Sequence, residues 1–325
     1  MTIRSMLRRL CMVVMTLAAG HALAQPANAP AACPTPPQVP TQEALNAALR
    51  VATDHGVLWT LERDGRKSYL FGTIHVGKLE WVVPGPRLRE ALLTTDVMAL
   101  EIDPTDTQML RRMIQPAPGA PAANLPAALK TRIAKRIDVA CLPPEARPIV
   151  DAQHPVMQAM TLTVLEARWE GLDAAYAQEF MLAGFARKGQ RRIVSLETPE
   201  LQMAALMPKD ANEMIKLLEG MLDQIDKGAG RRSIAHLGAA WARGDLDELS
   251  AYERWCECAL DDSDRKQLAR LIDERNPGIA ERLDALIGEG GRVFAGVGAL
   301  HMTGPKALPQ LMRERGYKVE RVIFQ

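Results

Sequence analysis

Val57-Leu58-Trp59-Thr60-Leu61-Glu62-Arg63-Asp64-Gly65-Arg66-Lys67-Ser68-Tyr69-Leu70-Phe71-Gly72-Thr73-Ile74-His75 is the stretch on which the fold turns. Val57 to Glu62 and Ser68 to His75 carry residues that suit a pleated backbone. Between them Arg63-Asp64-Gly65-Arg66 holds the Gly that a tight reversal needs. The stretch predicts a β-hairpin whose second strand ends at His75. Gly72, lacking a Cβ, lets the backbone turn sharply or another group come close, while the imidazole projects from the strand's carboxyl end.

The same unit recurs far along the chain. Val293-Phe294-Ala295-Gly296-Val297 precedes Gly298 and His301 as Tyr69-Leu70-Phe71 precedes Gly72 and His75, and each histidine is followed by a further Gly, Gly77 or Gly304. Such units are expected to face each other across a sheet. Val97 to Ile102, Arg192 to Leu196, Arg292 to Leu300 and Lys318 to Phe324 also read as strands. Between about Thr105 and Ile287, apolar residues recur at helical spacing over Met157 to Arg168, Ala174 to Arg187, Ala211 to Ile225, Ser233 to Ala242, Asp264 to Glu274 and Ile279 to Ile287. Pro116, Pro118, Gly119 and Pro121 mark a loop. The expected class is α/β: a central mixed sheet with two similar strand-Gly-x-x-His halves and a large, mostly helical middle region.

Arg4, Arg8 and Arg9, the apolar run from Leu10 to Ala19 and the small residues of Ala22-Leu23-Ala24 read as a signal peptide over residues 1–24. Six prolines in residues 25–40 suit an extended tether, and Thr41 caps a helix ending near Asp54. Residues 41–325 are then expected to form a single domain, periplasmic or secreted, with no membrane span after signal removal. With 40 Lys plus Arg against 39 Asp plus Glu, the net charge of +1 gives no reason to expect a nucleic-acid partner. Beyond the signal stand Cys33, Cys141, Cys256 and Cys258, which suggests two disulfides in an oxidising compartment. A Cys256–Cys258 bridge across one residue would be strained, so each is expected to meet Cys33 or Cys141.

Two imidazoles do not complete a hydrolytic metal site, which usually takes three protein ligands and leaves a position for water. Glu101, ending the strand Met98-Ala99-Leu100 just before Pro104, is the first candidate for the third. Glu197, closing Ile193-Val194-Ser195-Leu196, is the second. An acid at the end of an apolar strand is costly unless paired or ligated. One carboxylate could bind metal and the other act as general base. His55, His154 and His236 are expected to be structural. Arg275, beside Asn276 between two helices, could hold a substrate carboxylate. No serine-hydrolase elbow, His-Glu-x-x-His helix or phosphate-binding Gly-rich loop is present.

Ser68 to His75, Ala99 to Asp103, Ser195 to Thr198, Glu274-Arg275-Asn276 and Val297 to Gly304, in this order, resemble the TraB/PrgY/GumN family, which is similar to the TIKI metalloproteases. So does the ending Leu311 to Glu320. The resemblance implies one α/β domain and a divalent ion, Mn or Co, used to cleave peptide bonds; Zn is a further option outside the resemblance. Carried over by position, His75, Glu101 and His301 are the expected metal residues, and Glu101, Glu197 and Asn276 the expected catalytic ones. Ala299-Leu300 and Met302 depart from the Gly and Leu more usual around the second histidine. The expectation is an exported metal-dependent hydrolase acting on a peptide or protein. The alternative is a periplasmic binding protein that sequesters a peptide or metal chelate in the same cleft.

Overall fold

The computed structural model describes residues 33–37, 40–114, 124–258 and 261–324. The expected signal segment, most of the tether and the loop from Pro116 to Pro121 lie outside these residues. Every element below belongs to the unit formed by residues 34–325.

The hairpin forms as the sequence demands. β1 (Val57–Arg63) and β2 (Arg66–Thr73) pair antiparallel with Val57 opposite Gly72. The turn residues Asp64 and Gly65 both take positive φ, 53° and 70°. That double left-handed turn matches the twist of the strands it joins. β3 (Val97–Leu100), β4 (Arg192–Ser195), β5 (Val293–Gly298) and β6 (Lys318–Val322) complete a six-stranded sheet in the order β4-β3-β5-β2-β1-β6. The β4–β3, β3–β5 and β5–β2 pairings are parallel, and β1 runs antiparallel to both its neighbours. The sheet is therefore mixed. β5, covered on both faces, is apolar almost throughout.

The two Gly-x-x-His halves do not face each other across the sheet. β2 and β5 are adjacent parallel strands, with Gly72 opposite Val297 and Thr73 opposite Gly298, so the halves stand side by side and end at one edge. The strand ends expected at His75, Ile102 and Leu300 also fall short. At Ile74 the carbonyl accepts the Gln178 N–H from a neighbouring helix instead of a ladder bond, so β2 stops at Thr73.

The helices are α1 (Gln42–Val51), α2 (Pro86–Leu93), α3 (Thr107–Ile114), α4 (Ala127–Val139), α5 (Arg147–Asp151), α6 (Pro155–Glu166), α7 (Gln178–Lys188) and α8 (Pro199–Leu206), followed by α9 (Ala211–Asp226), α10 (Ala229–Ala242), α11 (Leu246–Ser250), α12 (Tyr252–Trp255), α13 (Asp262–Leu271), α14 (Asn276–Gly288) and α15 (Leu308–Glu314). Thr41 caps α1 by accepting from the Ala44 N–H. The single helix expected over Ala174 to Arg187 is broken, because Ala177 is extended between a short 3-10 turn and α7.

Two apolar clusters result. One surrounds the sheet, with Leu70, Phe71, Phe294 and Trp241 fully buried. The other is helical: Met214, Leu218 and Leu222 recur every fourth residue on α9 and bury the same face as Val156, Ala159 and Leu162 of α6. Asp210 starts α9 by accepting from the Asn212 and Glu213 N–H groups.

All four cysteines among the described residues are disulfide-bonded. Cys256 is bridged to Cys258, against the expected pairing of each with Cys33 or Cys141. The chain leaves α12 extended at Cys256, which sets the two Cα atoms 5.0 Å apart, inside the range a disulfide spans.

Candidate functional site

Because β2, β3, β4 and β5 run in one direction, the segments following them converge at a single sheet edge, where open α/β sheets hold their ligands. β3 and β4 stay joined past their ends. The Leu196 and Glu197 N–H groups donate to the Leu100 and Glu101 carbonyls, and the Asp103 N–H donates to Ser195 Oγ. Glu101 and Glu197 are thereby held as neighbours. Thr198 then caps α8 and Pro199 begins it, so Glu197 sits where strand turns into helix.

Arg275, at the start of α14, ties these acids together. Its Nη2 donates to Glu101 Oε2 at 2.5 Å and also to Glu197 Oε2, while Nε donates to Glu197 Oε1 at 3.0 Å. Gln202 Nε2 donates to both carboxylates at 3.2 Å. The Gly298 N–H completes the Glu101 shell at 2.7 Å. A Cβ on Gly298 would lie 3.3 Å from Glu101 Oε1, a tight contact that would push the carboxylate by a few tenths of an ångström. Gly72 serves packing instead, since a Cβ there would stand 2.6 Å from Val57 Cγ2 and 3.1 Å from the Ala299 Cα.

His301 is buried beside this group. Its Nδ1 lies 2.5 Å from Asn276 Oδ1, and Asn276 Nδ2 donates to the His301 and Lys306 carbonyls. With Nδ1 as the donor in that bond, Nε2 carries the lone pair. It faces Glu101 Oε1 at 4.0 Å and Arg275 Nη1 at 3.3 Å. His75, 70% exposed, pairs through Nδ1 with Glu179 Oε1 at 3.1 Å, and the same oxygen accepts from Thr73 Oγ1.

The electrostatics follow from these contacts. Burial alone would raise the Glu101 carboxyl. His301 and His75, protonated at the acid pH where this carboxyl titrates, together with the Arg275 guanidinium and the Gly298 N–H, outweigh burial and hold the carboxyl at about 2. Burial pushes the His301 imidazole below its ordinary value, favouring the neutral ring. Glu179 raises His75, an effect that solvent screens at so exposed a side chain.

By type, the donors suit a divalent ion. An imidazole anchored through its second nitrogen is how metal-binding histidines are commonly oriented, and a carboxylate stands opposite. The present arrangement gathers only that pair. Among the described residues no group of three or more His, Cys, Asp or Glu could hold a metal ion. His75 is turned to Glu179, and the guanidinium of Arg275 stands against Glu101, Glu197 and His301.

The TraB/PrgY/gumN family model matches residues 57–321. The chain belongs to that family. The match runs from the first residue of β1 into β6 and includes every site residue named above. Two TraB/PrgY/gumN relatives, both described as uncharacterized protein YbaP, come from Shigella flexneri and Escherichia coli strain K12. Each is 27% identical over 256 residues, covering 76% of this chain and 88% of the relative. No solved structure matches the chain.

Of the residues expected at a TraB/PrgY/gumN site, Glu101, Glu197, Asn276 and His301 form one hydrogen-bonded group through Arg275, and His75 lines the same cleft as Glu101 and Arg275. Arg275 itself departs from expectation. It does not present a free fork to a substrate carboxylate, because its donors are taken by Glu101, Glu197 and the Leu271 carbonyl. Glu179 and Gln202 were not foreseen. Glu179 enters because α7 begins against the end of β2, and Gln202 because it lies one helical turn into α8, over Glu197. Among the described residues the other histidines have partners away from this group: His154 accepts from the Val156 N–H, His55 bonds the Ala242 carbonyl, and His236 pairs with Glu248 and stacks on Trp255.

Proposed function

We propose that the chain is an exported metal-dependent hydrolase acting on peptides, working at the cleft between His75, Glu101 and His301. The observation that carries this reading is the His301–Asn276 pair. Asn276 spends its side chain on fixing one imidazole, leaving Nε2 aimed at a buried carboxylate. In such an enzyme His75, Glu101 and His301 would hold the ion, Mn or Co as the family resemblance implies, or Zn. When bound, the ion supplies Lewis-acid polarisation of a carbonyl and a water of lowered pKa.

The chain's own residues have definite parts. Gln202 orients both carboxylates, and Asn276 selects the His301 tautomer. Glu197 is the general base of this reading. Arg275 has to withdraw from Glu101 and His301 for that pair to act together. Bonded disulfides suit an oxidising compartment outside the cytoplasm. Among the described residues no helix is long and apolar enough to cross a membrane.

A second reading, a binding protein that holds a peptide or metal chelate without turnover, is favoured by one observation: Arg275 already saturates both acids. Incubating purified protein with a peptide library separates the two. The hydrolase reading expects fragments that vanish on chelation and return with Mn, Co or Zn. Intact peptides under every metal condition would overturn it.

A further inference from the structure

Against the polar group lies a cavity of about 450 Å3 whose opposite wall is apolar. Leu110 and Met113 of α3, Met160 and Val164 of α6, Phe180 of α7 and Leu206 of α8 line it. It sits where the two apolar clusters meet: Val164 packs on the sheet cluster, and Met113, Met160 and Leu206 on the helical one. Neither cluster closes over the gap. Phe180 is left 51% exposed and Leu110 38% exposed, two large apolar side chains on one concave wall. Isolated exposed apolar residues are ordinary, but several converging on a cavity mark a binding surface.

Charge narrows the occupant. The cationic groups lining the cavity are His75 and Arg275, and both are engaged by carboxylates, His75 by Glu179 and Arg275 by Glu101 and Glu197. Whether or not Arg275 withdraws for an ion, an acidic side chain lying on the apolar wall would find neither counter-charge nor hydrogen-bond donor among Leu110, Met113, Met160, Val164, Phe180 and Leu206. An uncharged apolar group finds a complementary wall. The two methionines give that wall adaptable, polarisable side chains.

We infer that this cavity is a specificity subsite for an uncharged apolar side chain of a peptide, of leucine, methionine or phenylalanine type, and that it excludes acidic residues. The inference rests on the peptide-directed reading above. The polar end of the cavity then meets the backbone of the bound peptide, while the side chain lies toward Phe180 and Met160.

The test uses the full chain and pentapeptides acetylated at the amino end, amidated at the carboxyl end, and varied at the central residue: Leu, Met, Phe, Lys or Asp in an alanine background. Binding by calorimetry and cleavage by mass spectrometry are followed separately. Apolar central residues are expected to bind roughly tenfold or more tightly than Asp. Phe180→Asp, at a half-exposed position, is expected to erase that preference and to strengthen binding of the Lys peptide relative to wild type. Leu110→Asp, on another helix, should act in the same direction. Equal binding of all five peptides, tightest binding of Asp, or an unchanged ranking in both variants overturns the subsite. Apolar-selective binding without cleavage leaves the subsite standing and removes the hydrolase reading.

Discussion

Arg275 Nη2 stands 2.5 Å from Glu101 Oε2 while also bonded to Glu197, so two buried acids share one guanidinium. Removing one partner from a buried pair leaves uncompensated charge and costs about 3–5 kcal/mol. Arg275→Met is therefore expected to lower the stability of metal-free protein by about that amount in chemical denaturation. Divalent ion should restore much of it, because the two carboxylates then take their counter-charge from the metal. A variant as stable as wild type, or one that Mn does not stabilise, would count against the competition between guanidinium and ion.

Acid sensitivity follows from Glu101. Its carboxyl titrates at about 2 in the folded chain against an ordinary value near 4.5. A depressed folded value means that the stabilisation is complete above the unfolded value and fades as pH falls toward the folded one. Unfolding free energy should thus decline between about pH 4.5 and 2, and Glu101→Gln should flatten that slope. Denaturant titrations at a series of pH values measure it.

Asn276 is fully buried and satisfies His301 Nδ1 and two carbonyls. Asn276→Ala leaves these groups without partners, and each buried unsatisfied group costs about 1–3 kcal/mol. Loss of the anchoring partner of a metal-binding imidazole also weakens metal affinity by roughly 10–100-fold. Calorimetric titration with Mn is expected to show that weakening in protein that still gives a folded circular dichroism spectrum.

The two motif glycines should separate folding from function. Gly72→Ala drives a Cβ against Val57 and the Ala299 backbone, and overpacking of this kind costs about 1–3 kcal/mol. Gly298→Ala meets Glu101 Oε1 at 3.3 Å, within the site instead of the core. The expected outcome is a lowered melting temperature for the first, and for the second a near-normal melting temperature with reduced peptide cleavage.

Much of this architecture is legible in the residues. The Asp64-Gly65 turn, the apolar runs of β3 and β5 and the four-residue spacing on α9 each follow from local chemistry. So does the placing of Glu101 and Glu197 each at the end of an apolar strand, though their meeting depends on the parallel pairing of β3 with β4. What the residues hide is pairing at a distance. Nothing local in Cys256-Glu257-Cys258 reveals that an extended residue after α12 brings the two Cα atoms within bridging reach. The spacing of the two Gly-x-x-His units gives no sign that β2 and β5 are neighbours instead of opposed. Arg275 reads as a substrate clamp until Glu101 and Glu197, each far away in sequence, are found on its fork. Glu179 and Gln202 depend on helix docking angles that periodicity does not carry.

The central claim is that His75, Glu101 and His301 hold a divalent ion, and elemental analysis tests it most directly. Protein isolated from its native compartment is compared with His75→Ala and His301→Ala, each checked for folding by circular dichroism. The account predicts close to one equivalent of ion in wild type, Mn, Co or Zn, and its loss from both variants. Metal retained in both variants, or wild type that cleaves peptides while metal-free, would contradict it.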